Sequence, residues 1–138
     1  MKRFLTSSGV YIAVISLYLL VPHSIQAQLS GDLNVATAVI CNNVSDRQPI
    51  GTGNEFPVSV GRLYCYNKIT DIRNSTKIIH AWYFQDTERA RVTLGVNPPD
   101  WRTYSSKIIQ THEVGDWHVE ILDASENSLG KVKFKITN

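Results

Sequence analysis

Few side chains in this sequence are of types that could do chemistry: four histidines, two cysteines, and a scatter of serines and carboxylates. A serine nucleophile is presented on a sharp glycine-flanked turn, and no serine here has that G-x-S-x-G setting. Ser105, Ser106 and Lys107 are consecutive, which is not the S-x-x-K spacing that brings a lysine onto a serine. His80, His112 and His118 lack the short ligand spacing of a metal site. Asp86, Glu88, Asp123 and Glu126 fall in polar turn segments where solvation accounts for them, whereas a glycosidase needs two carboxyl groups fixed across a cleft. His80 lies among apolar residues and reads as a hydrogen-bonded packing histidine. No catalytic residue, metal or cofactor is therefore expected.

The cysteines depend on the compartment. Lys2 and Arg3 precede an apolar run from Val10 to Val21, then Pro22 and a stretch ending at Ala27. That order is a secretory leader, residues 1–27, with the cut after Ala27. Spanning a bilayer takes about 20 apolar residues, more than this run holds, and no membrane insertion is expected after cleavage; the alternative is an uncleaved anchor, because Ile25 is bulkier than the small residue usual two places before the cut. Export to the periplasm or the extracellular space oxidises thiols, and an even count favours a Cys41–Cys65 disulfide. Closing that 25-residue loop is worth about 3.5 kcal/mol in the chain-entropy model. The alternative is two free buried cysteines acting as small apolar residues.

Residues 28–138 are of a size that forms one domain unaided. Without Lys2 and Arg3, twelve Lys and Arg balance twelve Asp and Glu. Nucleic-acid binding needs a cationic surplus, so it is excluded as the expected function.

The elements that must position these residues are strands. Leu33, Val35, Thr37, Val39 and Cys41 alternate with their neighbours; Asn42 to Gly53 reads as a loop rich in turn formers. Phe56 to Val60 and Arg62 to Ile69 are two short segments joined by a bulge at Gly61. Ile78 to Phe84 and Arg89 to Val96 form a hairpin, and the double proline at Pro98 and Pro99 breaks the sheet before Trp101. Trp117, Val119 and Ile121 then alternate with polar residues, as do Val132, Phe134 and Ile136 with Lys131, Lys133 and Lys135. About seven strands without a helical period specify an all-β fold, a single antiparallel Ig-like sandwich.

One segment breaks the pattern. From Trp101 to Ile109, either inward register puts Lys107 or Arg102 on the buried face. An unpaired buried charge costs several kcal/mol, so the segment must be an exposed edge, a bulge, or part of a satisfied polar network. Such failures of local pattern mark functional or strained places, which makes Trp101, Arg102, Ser105, Ser106 and Lys107 the candidate binding residues. The rival role for them is structural, with Arg102 tying loops together.

Several segments together resemble a bacterial family known as domain of unknown function 2914. They are Cys41 with Arg47 and Pro49, Phe56, Gly61 to Cys65, His80 to Tyr83, the run WRTYSSK from Trp101 to Lys107, and Gly115 to Val119. Tyr104 stands where that pattern has Trp, and the turn from Asp123 to Ser128 lacks its Asp-Gly. The resemblance implies an exported or membrane-attached β domain and brings no reaction or ligand with it. The expectation is thus a non-catalytic binding or interaction domain of the cell envelope, its partner an envelope protein or glycan. The alternatives are an enzyme acting on envelope polysaccharide or peptidoglycan, and a structural assembly subunit.

Overall fold

A computed structural model describes residues 33–138. The apolar run and the cut after Ala27 lie outside the described residues, among which no helix is long and apolar enough to cross a membrane. Nine strands follow one another: β1 (Asn34–Ser45), β2 (Gln48–Gly53), β3 (Glu55–Pro57), β4 (Arg62–Thr70), β5 (Thr76–Phe84), β6 (Thr87–Val96), β7 (Trp101–Ile108), β8 (Gly115–Leu122) and β9 (Ser128–Thr137). They form a four-stranded sheet in the order β2-β1-β4-β7 and a five-stranded sheet in the order β3-β9-β8-β5-β6. The fold is the expected sandwich, with two more strands than expected and one parallel pair, β3 with β9.

One added strand, β2, occupies what reads as a loop. Its hairpin with β1 turns on Asp46 and Arg47, whose φ angles are 50° and 60°. Two left-handed residues make the turn whose twist matches paired strands, a signal usually carried by Asn-Gly. Pro49 is tolerated because β2 is an edge strand. The segment expected as a strand from Phe56 to Val60 is instead the short β3 and a 3-10 turn, Val58–Val60. Gly61, at φ 72°, ends that turn rather than bulging a ladder.

Inward residues of the two sheets form two apolar clusters. The larger gathers Ile40, Phe56, Leu63, Cys65, Trp82, Trp117 and Phe134; the smaller holds Ile69, Ile72, Ile78, Val96 and Ile121. Phe134 packs between the indoles, its ring centroid 6.2 Å from Trp82 and 5.9 Å from Trp117. Fully burying a large apolar side chain stabilises by about 1.5–3 kcal/mol, so these rings are a principal support of the sandwich.

The expected disulfide is corrected: Cys41 and Cys65 are free and buried. The ladder explains it. Ile40 is paired with Cys65 and Cys41 with Tyr64. Cross-strand partners share a face and successive residues alternate, so Cys65 points into the core with Ile40 while Cys41 points to the outer face with Tyr64. Burial raises the pKa of both thiols. Denatured without reductant, the protein should take up an alkylating reagent at both cysteines, and at neither when native. Intact mass counts the adducts; a chain labelled only after reduction would mean a bridge.

Candidate functional site

The pattern-breaking segment is β7, the outer edge of the four-stranded sheet. Its register against β4 pairs Trp101 with Ile69, Thr103 with Asn67, Ser105 with Cys65 and Lys107 with Leu63, so these four β7 residues form the inward row. Arg102, Tyr104, Ser106 and Ile108 form the outward row, paired with Lys68, Tyr66, Tyr64 and Arg62. Trp101 packs against the smaller cluster. Lys107 avoids burying its charge by lying at the rim, where Nζ donates to the Ile108 carbonyl at 2.7 Å and sits 5.9 Å from the centre of the Trp117 ring.

Ser105 is only 5 % exposed and belongs to a chain of polar groups between the clusters. The order along β4 is Cys65, Asn67, Ile69, and along β5 it is Ile78, His80, Trp82, so Asn67 and His80 meet Ser105 in one layer. Asn67 Nδ2 donates to the Tyr66 carbonyl at 2.9 Å and the Thr37 carbonyl at 3.5 Å, leaving Oδ1 to accept from His80 Nε2 at 2.5 Å. A neutral imidazole has one donor, so Nδ1 accepts, from the Ser105 hydroxyl at 2.6 Å. Trp82 Nε1 donates to the same hydroxyl at 2.9 Å. The tautomer is assigned from this pattern. Every described buried side-chain polar atom finds a partner.

Serine, histidine and asparagine in hydrogen-bonded succession resemble a nucleophilic triad, but the imidazole is fully buried and no substrate reaches it. Burial lowers the His80 pKa to about 4. A proton on Nδ1 would take away the acceptor of the Ser105 O–H and leave that hydrogen unpaired, so the chain favours the neutral ring. Sequence reasoning recognised His80 as a packing residue and missed its partner. The available signal was three polar residues, Asn67, His80 and Ser105, each on the inward row of its strand.

The exposed chemistry is on the other face. Tyr104 is 49 % exposed, and its ring meets Tyr64 edge-on with centroids 5.8 Å apart. Arg62 donates through Nη1 to Ser106 Oγ at 2.8 Å, and the Tyr66 hydroxyl donates to the Arg47 carbonyl at 3.0 Å. Of the residues singled out from sequence, Arg102 and Ser106 lie on this face; Trp101, Ser105 and Lys107 do not. Arg62, Tyr64 and Lys68 join it from β4, which sequence reasoning read only as a strand. Among the described residues no group of three or more His, Cys, Asp or Glu side chains could hold a metal ion.

Residues 75–136, the stretch from β5 almost to the end of β9, match a family described as protein of unknown function (DUF2914). The resemblance is thereby shown for His80 to Tyr83, Trp101 to Lys107 and Gly115 to Val119; its pieces in β1 to β4 lie outside the matched residues. Within the matched stretch lie His80, Trp82 and Ser105, while Asn67 comes from the strands before it. No curated protein matches the chain.

Removing the Ser105 hydroxyl orphans both the Trp82 N–H and His80 Nδ1. Ser105→Ala should therefore destabilise by about 2–4 kcal/mol in urea unfolding. The unfolded chain protonates histidine near 6.5 and the folded one at about 4, so the unfolded state binds more protons between these values. The contribution of His80 is present above pH 6.5 and lost as pH falls toward 4, by about 3 kcal/mol in all. Nitrogen NMR should show an Nε2–H tautomer whose shifts hold until the pH nears 4; titration near 6.5 would contradict the sealed network.

Proposed function

We propose that the protein is an exported, non-catalytic binding domain of the bacterial cell envelope, periplasmic or extracellular, which holds its partner on the outer face of the four-stranded sheet. The observation that carries this reading is the outward row of β7 and β4, where Arg102, Lys68, Arg62, Tyr104 and Tyr64 are gathered on one surface. Aromatic rings and guanidinium groups are the side chains that dominate recognition surfaces. The Ser105 and His80 pair, which would favour catalysis, is closed off in the core. Edge position adds accessibility, since β7 has a strand on one side only.

Retention of the purified protein on an immobilised envelope fraction tests the surface. Arg102→Ala and Tyr104→Ala should each weaken retention about tenfold or more, a loss of at least about 1.4 kcal/mol, with little change in melting temperature. Ser105→Ala should do the reverse, lowering the melting temperature while its folded fraction is retained as the parent is. If both outward substitutions leave retention intact, the segment is scaffold and the contact surface is wrong. Export is checked separately by the intact mass of protein from that fraction, which should begin at Gln28.

A further inference from the structure

The four strands β1, β2, β4 and β7 contain no Asp or Glu, although twelve occur in the chain. On the outer face of that sheet Lys68 and Arg102 are direct cross-strand partners. Like charges placed so destabilise a sheet, and neither residue has an ion-pair partner among the described residues. The five-stranded sheet treats its cations differently. There Lys135 is opposite Asp116 and Lys131 opposite Glu120, which offsets the repulsion across the ladder. The same fold thus sets an acid opposite two of the lysines on one sheet and offers its cations none on the other, although Lys133 faces His118. Where local rules are broken without a structural return, a ligand is the usual return.

We infer that the ligand of this face is an acidic polysaccharide, a sugar chain bearing carboxylate or phosphate groups; this rests on the reading of the face as the contact surface. Arg62 and Lys68 are six residues apart on β4, so the two cationic ends are separated by about 20 Å. That is the reach of an oligosaccharide rather than of a single sugar. Between them lie Tyr64 and Tyr104, with one ring half exposed, and the Ser106 hydroxyl. Flat rings take the C–H faces of sugars, hydroxyls take their hydroxyls, and arginine takes an anionic group bidentately. Nucleic acid fits less well: binders steered by phosphate make about 6–10 such contacts, and this face offers three cations.

The test uses protein from the envelope fraction against five probes: polygalacturonate, a phosphorylated mannan, dextran of similar length, a single-stranded DNA oligonucleotide, and phosphatidylglycerol vesicles. Binding should be seen to polygalacturonate, to the phosphorylated mannan, or to both, should weaken with added salt, and should be absent for dextran. The two acidic polymers separate a carboxylate ligand from a phosphate one. Arg102→Ala should weaken binding about tenfold, the scale of a lost charged hydrogen bond. Lys68→Glu should abolish binding yet raise the unfolding midpoint, because it turns a repulsive cross-strand pair into an attractive one; a merely structural lysine would not separate those readouts. Equal binding to dextran, or tighter binding to DNA or vesicles, overturns the ligand class and leaves the surface standing. So does retention on the envelope fraction that depends on Arg102 with neither acidic polymer bound, since the partner is then of another class. Binding of an acidic polymer that neither substitution changes overturns the surface as well.

Discussion

The chain of hydrogen bonds from Trp82 through Ser105 and His80 to Asn67 is the constraint on which the rest of the sandwich depends. It joins β5 of one sheet to β4 and β7 of the other, at the level where the two apolar clusters meet. Apolar contacts tolerate sliding, since one branched side chain packs much like another. A donor and acceptor sequence that closes only with a neutral imidazole in one tautomer does not. Shifting β7 one way puts Tyr104 in place of Ser105 and strands an indole N–H and an imidazole nitrogen, each costing about 1–3 kcal/mol; shifting it the other way supplies the Ser106 hydroxyl but carries Arg102 inward in place of Trp101. The register of the edge strand is thereby set from inside the core.

That register decides what faces water. Because Ser105 points inward, Arg102, Tyr104 and Ser106 must point outward, and β4 answers with Lys68, Tyr66 and Tyr64. The buried network and the exposed face are therefore two sides of one strand. A substitution on the inner side acts through stability, and one on the outer side through recognition. The three cations of that face also explain how residues 28–138, whose charges balance, can hold a polarised surface: the described carboxylates lie in turns, in loops and in the five-stranded sheet.

Much of the fold was legible because alternation is a local property. Lys131, Lys133 and Lys135 against Val132, Phe134 and Ile136 specify a half-buried strand whatever surrounds them, and β8, β5 and β6 are as plain. The misreadings share a cause. Residues 42–53 hold glycines, a proline and asparagines, which locally favour a loop, yet 42–45 extend β1 and 48–53 pair with it as an edge strand, through a turn at Asp46 and Arg47 that lacks the usual glycine. Val58–Val60 has strand-forming residues but no neighbour to pair with, and curls into a single turn.

By itself the sequence determined the class of fold, the positions of most strands, and the fact that β7 could not be an ordinary buried strand. Alternation and its failure are read along the chain, where each side chain competes only with its neighbours. Only the tertiary structure decided which row of β7 is buried, that Cys41 and Cys65 face opposite sides of one sheet, and that Ser105 meets His80 from 25 positions away. Those outcomes depend on ladder register and on which strands lie opposite across the core. Register is a property of pairs, and no single strand carries it.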